Sequence, residues 1–376
     1  MAKDIPEEIS STQRELSRRR FLRNAGAVAA LPMLGSVAGI LGAQGAGAQT
    51  YKRNSDHPFF AGHPKYHFVM DNHVTTNSFF TATIYGCQDF CALTGCTFTW
   101  TGSQTSVVGQ MVAAMESAIA SKAAGIGVPL IDNTAFNAPT NAALNAGIPV
   151  IAYNADVAPG FVNNRQAYVG QSNLTAGAAV ASAILSHGVP HLTKGDVVAG
   201  IIATPGTGNI QPRIDGAKPV FTAAGIDFVE VGTSATEGAP EYNAISSWYS
   251  GHRDVKFMMT VDSGDSNAVA EFIVNNKLKG KVGGSGWDTG LPVMDAIESG
   301  SLLQTVDQQA YLQGFVPVIQ MFLYQVSAGL MQPCDTNTGL GFVTSANVGP
   351  YLAHVTRYEG SGATETAFAP PSKIGH

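Results

Sequence analysis

From Lys65 onward the chain alternates short β-rich runs with helical stretches, and the alternation then starts over, which limits the folds open to it more than any other feature does. The first set has predicted strands at 66–70, 97–100, 126–131 and 149–153, separated by predicted helices over 78–93, 106–122 and 138–145. The second set has predicted strands at 196–203, 228–232, 256–261 and 281–284, with helices over 174–186, 212–224, 239–249 and 266–275. Strand–helix alternation of this kind builds a parallel sheet covered on both faces. Two successive sets imply an α/β protein of two doubly wound lobes rather than one oversized sheet.

The N-terminus reads as an export signal. Residues 17–23 are S-R-R-R-F-L-R, an Ala/Gly-rich apolar stretch follows to Leu41, and Ala46-Gly47-Ala48 is a small-x-small cleavage site. The twin arginines Arg18 and Arg19, with Phe21 and Leu22 behind them, point to the Tat route and make 1–48 a signal peptide. The expected location is periplasmic or otherwise extracytoplasmic. Over its whole length the chain carries 21 basic and 27 acidic side chains, net −6. Cleavage after Ala48 takes six basic and four acidic ones with it, so the mature chain is more acidic still. With no Lys/Arg block left, a nucleic-acid partner is not expected. The longest later apolar run, 315–330, contains Pro317 and two glutamines, and does not read as a membrane span.

Of four cysteines, three cluster as Cys87, Cys91 and Cys96. Export permits a disulfide, and Cys91–Cys96 is one of three pairings open among them. The C-x3-C-x4-C spacing is not that of a zinc site and encloses no histidine, so no metal and no cofactor are expected. Catalytic motifs are missing too. No G-x-S-x-G occurs, since Gly283-Gly284-Ser285-Gly286 is in the wrong register, and no H-E-x-x-H occurs. The turn at 205–208, P-G-T-G, lacks the Lys-Ser/Thr of a phosphate loop.

In open parallel sheets ligands sit beyond the carboxyl ends of the strands. The residues there are Asp71 to Asn77, Asp132-Asn133 and Asn154 to Asp156 in the first set. In the second they are Thr204 to Gln211, Thr233 to Glu237, Asp262-Ser263 and Trp287-Asp288. Most are amides, hydroxyls, carboxylates or aromatics, groups that suit the hydroxyls and C–H faces of a carbohydrate. Asp71 and Asp132 serve equally well as helix caps. His73 reads as a solvated loop residue, Arg213 as structural, and Trp287 as either a sugar stacker or a buried packing residue.

Six short motifs follow one another in a recognisable order: N-S-F-F (77–80), A-G-I-P-V-I-A-Y-N-A-D (146–156), A-Y-V-G-Q-S-N-L-T-A-G (167–177), R-I-D-G (213–216), G-W-D (286–288) and Q-T-V-D-Q (304–308). In these the chain resembles the type I periplasmic sugar-binding proteins, the ribose/galactose-binding group. The resemblance implies a receptor that hands its ligand to the permease of an ABC-type importer, as a monomer touching the membrane only through that transporter. It assigns ligand contacts to Asn77, Phe79, Phe80, Asn154, Gln211, Asp262, Asp288 and Gln308, with Thr236 or Glu237 near a further aromatic position. One of Phe79 and Phe80 is expected in the core and the other against the ligand. Ala155 and Gln211 stand where ribose binders carry arginines, which argues against ribose and against an anionic ligand, and for a neutral sugar or polyol. The resemblance also implies three crossings between lobes, near Ser172, Gln308 and Leu340. One lobe then holds 60–172 and 309–340, the other 173–308 and 341–360, with 361–376 as a tail. Two other functions share these features: a sugar-sensing receptor for chemotaxis or signalling, and an exported glycoside hydrolase using Asp262 and Asp288.

Overall fold

The computed structural model describes residues 62–233 and 238–353. The export segment 1–48, the 361–376 tail, Thr236 and Glu237 lie outside the described residues. The first lobe begins with β1 (His67–Asn72), a single 3-10 turn (Ser78–Phe80) and α1 (Thr81–Thr94), followed by β2 (Thr97–Gly102) and α2 (Val108–Ala120). Then come β3 (Gly125–Val128), α3 (Asn137–Asn145), β4 (Val150–Tyr153) and β5 (Ala167–Gly170). The second lobe runs through α4 (Asn173–His187), β6 (Val197–Ile202), α5 (Gln211–Ala223), β7 (Asp227–Gly232) and α6 (Ala239–Gly251). It continues with β8 (Val255–Thr260), α7 (Ser263–Asn275), β9 (Gly283–Ser285), α8 (Leu291–Glu298) and β10 (Gln304–Asp307). The chain ends its described course with α9 (Ala310–Val326), β11 (Thr336–Asn337), β12 (Gly341–Thr344) and α10 (Gly349–Ala353).

The two sheets repeat one topology. The first is ordered β11-β5-β4-β3-β1-β2 and the second β12-β10-β9-β8-β6-β7. All pairings are parallel except β10 with β12, which is antiparallel. In each sheet the order reverses beside the first strand, between β1 and β3 and between β6 and β8, which opens a crevice at the carboxyl ends. Helices cover both faces, so β1, β3, β4, β6 and β8 are buried almost throughout, and their sequences read as near-continuous apolar runs. Each lobe therefore has a core on either side of its sheet. The chain passes from one sheet to the other after β5, after β10 and between β11 and β12.

Within each lobe one helix pair packs backbone to backbone. A Cβ on Gly177 of α4 would stand 1.9 Å from the Arg213 carbonyl oxygen, and one on Gly216 of α5 2.0 Å from that of Leu174. Only glycine lets these backbones approach so closely. The first lobe does the same with Gly86 of α1 and Gly314 of α9, whose Cβ atoms would stand 2.3 Å from the Tyr311 oxygen and 2.0 Å from the Thr83 oxygen.

Some elements escaped the strand–helix pattern. The apolar run at 315–330 is the body of α9, packed against α1 rather than left without an assignment. No helix among the described residues is long and apolar enough to cross a membrane. The Cys91–Cys96 bridge is not formed: Cys87, Cys91 and Cys96 are buried free thiols in a core with Phe90 and Phe322. Burial, reinforced by Cys96, pushes the Cys91 thiol up to about 12.

Candidate functional site

A cavity opens where the two switch points meet, at the carboxyl ends of both sheets. The first lobe supplies its apolar wall. Asn77 caps the 3-10 turn by accepting a hydrogen bond from the Phe79 N–H at 2.9 Å, and this seats Phe79 and Phe80 at the cavity. Their rings meet edge to face, with centroids 4.7 Å apart. Both line the cavity and both belong to the core, so the expected division into one core ring and one ligand ring does not occur.

His73, expected in solvent, is buried at the end of β1 and faces the cavity. Its ring packs edge-on against Phe80 at 5.4 Å, and its Nε2 lies 3.3 Å from the Asn209 amide of the second lobe. Burial pulls the imidazole down to about 4, so it is neutral at physiological pH, and Nδ1 has no hydrogen-bond partner among the described residues.

The second lobe supplies the charged wall. Asp262 caps α7: one carboxylate oxygen accepts from the Asp265 N–H at 3.0 Å and the other from the Ala203 N–H at 3.1 Å. Burial pushes this carboxyl upward against those hydrogen bonds and against Arg213. Asp288 follows β9 and accepts from the Gln308 amide at 2.7 Å. Gln308 Oε1 in turn accepts from Arg213 at 3.1 Å and from Gln313 at 3.1 Å, and Gln313 Oε1 accepts from Asn154 at 3.1 Å. One chain of hydrogen bonds therefore links the Asn154 side of the first lobe to the Asp288 side of the second through the α9 crossing. Asn154 and Asp288, each just past a strand, have φ of 63° and 67°, a left-handed backbone that Asn and Asp tolerate better than other side chains.

Seven of the eight residues singled out above line this one cavity: Asn77, Phe79, Phe80, Asn154, Asp262, Asp288 and Gln308. Gln211 does not. At the first turn of α5 its amide donates to Asp215 at 3.2 Å and to Glu230 at 3.0 Å, and its oxygen accepts from the Gly206 N–H at 2.7 Å. Two residues on, Arg213 faces the cavity instead, which corrects the expectation that no guanidinium reaches it. Yet its donors go to Asn173 at 3.0 Å, the Val261 carbonyl at 2.7 Å and Gln308, and its face lies 4.4 Å from the ring centroid of Trp287. Trp287 is fully buried beneath it and is not among the residues lining this cavity. Asp132 holds the 134–135 turn by accepting from the Thr134 and Ala135 N–H groups, which keep its carboxyl below the usual range. Asp71 is buried away from the cavity. His73, Asn209 and Gln313 are the residues that sequence reasoning missed. The first two stand in strand-end segments already marked as informative, whereas Gln313 lies inside a helix and carried no signal.

The chain matches the family model described as periplasmic binding protein domain over residues 68–326. It is 40% identical over 401 residues to the xylose/arabinose-binding protein XylF of Sulfolobus acidocaldarius, covering 99% of this chain and 95% of that one. Among solved structures it is similar to an ABC transporter solute-binding protein of Burkholderia graminis in complex with D-arabinose. There the TM-score is 0.68 and the identity 23%, over 76% of this chain and 97% of that chain. It is also similar to GanP, a glucose-galactose binding protein of Geobacillus stearothermophilus, with TM-score 0.66 and 22% identity over 76% of this chain and 100% of that chain.

Proposed function

The chain belongs to the periplasmic binding protein family, a family of binding proteins with an extracytoplasmic location, and from that premise we propose that it captures a neutral sugar between its lobes. The supporting observation is the cavity itself, with phenyl rings on one wall and carboxylates and amides on the other. A pyranose or furanose stacks its C–H face on Phe79 and Phe80, while Asp262, Asp288 and Asn154 accept or donate to its hydroxyls. Two carboxylates in a buried wall need donors, and hydroxyls supply them. The one guanidinium is committed to protein partners and is outnumbered by carboxylates, so an anionic ligand gains nothing there.

The relative named for xylose and arabinose makes an aldopentose the first ligand to try. Delivery to an ABC importer and export through the Tat route complete the reading, the latter on the strength of Arg18 and Arg19. No catalytic step is assigned to Asp262 and Asp288. The test is a thermal-shift and calorimetric screen of D-xylose, L-arabinose, D-ribose, hexoses, inositols and linear polyols. Saturable stabilisation by an unmodified aldopentose is expected. Cleavage of an aryl glycoside, or no response to any neutral sugar or polyol, overturns the reading.

A further inference from the structure

We infer that Gln313 is a positioning residue that works from behind the cavity, turning the Asn154 oxygen toward the ligand and tying that amide to the crossings between the lobes. The inference rests on the cavity being a sugar site. Gln313 stands in the first turn of α9, fully buried, and is not among the residues lining the cavity. Just before α9 the chain makes its second crossing, where Gln309 holds a left-handed φ of 61° and donates its N–H to the Asp307 carboxylate at 2.7 Å. The third crossing runs alongside. Thr338 donates its hydroxyl to the Gln308 carbonyl at 2.8 Å and its N–H to the Gly170 carbonyl at 3.0 Å, and Gln171 donates to the Gly339 carbonyl at 2.9 Å. The three crossings are thus braced to one another, and the Gln313 amide sits in the brace.

The donor–acceptor sense of this amide has one solution. Its Nε2 lies 3.1 Å from the Gln308 carbonyl oxygen, 3.1 Å from Gln308 Oε1 and 3.4 Å from Thr338 Oγ1. A carbonyl oxygen only accepts, and Thr338 gives its proton to that same carbonyl, so the amino end of Gln313 must face Gln308. Gln313 Oε1 is then the end that meets Asn154, and it accepts from Asn154 Nδ2 at 3.1 Å. With Nδ2 turned to Gln313, Asn154 presents Oδ1 to the cavity that it lines, an acceptor for a ligand hydroxyl. Gln308 Oε1 accepts from Arg213 as well as from Gln313, which leaves Gln308 Nε2 for Asp288. Reversing the Gln313 amide would set oxygen against oxygen at Gln308 and amino group against amino group at Asn154. The Asn154 backbone is held independently, its N–H on the Val169 carbonyl and its carbonyl on the Tyr168 hydroxyl, so Gln313 governs the side chain.

The experiment measures D-xylose and L-arabinose affinity by calorimetry on the full chain. Gln313→Met keeps the volume and removes both hydrogen-bonding ends, and affinity should fall about 30-fold. Asn154→Ala should cost about tenfold in the wild type but less than about twofold in the Gln313→Met background, where Asn154 is no longer aimed. Gln313→Glu supplies a rescue. Burial raises a carboxyl at this site above its ordinary value, and the protonated carboxyl keeps an acceptor for Asn154 and a donor for Gln308. Arg213 and Asp288, both reached through Gln308, act on it with opposite sign. Taken as a ratio to the wild type at each pH, so that Asp262 and His73 cancel, its affinity should be about 30-fold down at pH 8 and within about threefold at pH 5.

Equal cost of Asn154→Ala in the two backgrounds overturns the inference, as does a Gln313→Met that lowers the melting temperature and leaves affinity intact. A Gln313→Glu ratio that does not change with pH also overturns it; if that variant fails to fold, the double-variant comparison decides. If the wild type binds neither pentose, it is the sugar reading that fails. The positioning role is then decided by the crystal structure of ligand-free Gln313→Met, in which Asn154 should leave its wild-type orientation and an unmoved Asn154 overturns the inference.

Discussion

The two lobes are built alike and furnished differently. Each has five parallel strands in the same order beside a sixth edge strand, parallel in the first lobe and antiparallel in the second, a reversal beside its first strand, and a helix pair closed by two facing glycines. At the carboxyl ends the likeness stops. The first lobe meets the cavity with Phe79, Phe80, a neutral His73 and Asn154; the second meets it with Asp262, Asp288 and Arg213. Strand alternation and close helix contacts constrain the interior of each lobe tightly, whereas side chains just past a strand are left to the ligand. The apolar lobe gives shape and the charged lobe gives direction, and substitutions can separate the two.

The largest effect is expected where that direction is set. Asp288→Asn keeps a side chain that tolerates φ near 67° but loses the charge received by Gln308 and by ligand hydroxyls. Affinity for the sugar found in the screen should fall about 100-fold, or ~3 kcal/mol, with the melting temperature nearly unchanged. Asn154→Asp, in the same backbone state on the other lobe, replaces the amide that donates to Gln313 Oε1 with an acceptor and should cost about tenfold. Calorimetric affinities for the two variants check the ranking, and equal losses would remove the asymmetry between the walls.

Next come the features the lobes share. Gly216→Ala and Gly314→Ala each force a Cβ to 2.0 Å from a carbonyl oxygen, so the helices must part. Each should cost about 2–3 kcal/mol of stability by denaturant melt, as overpacked sites do. Gly216→Ala should weaken sugar binding more, because α5 carries Arg213 and through it Gln308.

Asp71 gives the first lobe a pH signature away from the cavity, distinct from that of His73 in its wall. Burial raises its carboxyl from 3.8 to about 8 in the folded chain. As pH climbs from 4 to 8 the unfolded chain releases this proton while the folded chain keeps it, so the contribution is complete below pH 4 and lost by pH 8. Asp71→Asn removes the titration and should raise stability at pH 8 by about 2 kcal/mol after the cost of burying its amide, with no gain at pH 4. Thermal melts at the two pH values decide it, and a gain of the same size at both would sink the assignment.

The doubly wound architecture was readable because burial on both faces writes strands as apolar runs, and β1, β6 and β8 are such runs. The last third was less readable. β10 and β12 have four residues each, α8 has eight, and α9 contains Pro317, so neither pattern nor propensity marks them clearly. Strand-end placement brought out Asn77, Asn154, Asp262 and Asp288. Burial could not be read the same way: His73 was placed in solvent because a histidine after a strand has no pattern showing that a second lobe covers it, as Asn209 does. Gln313 was invisible for the same reason, since its meaning lies in contacts across elements.

Gln211 is the point at which motif spacing and geometry part company, and it gives the smallest expected effect. By motif spacing alone it is expected among the ligand contacts, in the place the resemblance gives to an arginine of ribose binders. In the fold it turns outward at the start of α5, held by Gly206, Asp215 and Glu230. Gln211→Ala should therefore change sugar affinity by less than about twofold and cost at most ~0.5 kcal/mol of stability, the range for exposed hydrogen bonds away from a core. Gln211→Arg sharpens the test, because an arginine there has Asp215 and Glu230 beside it and should pair with them rather than enter the cavity. Unchanged affinity in both variants would put the recognition chemistry of the second lobe on Asp262, Asp288 and Gln308. A tenfold loss in Gln211→Ala would show that the liganded cleft draws α5 inward and that the apolar and charged walls do not bind alone.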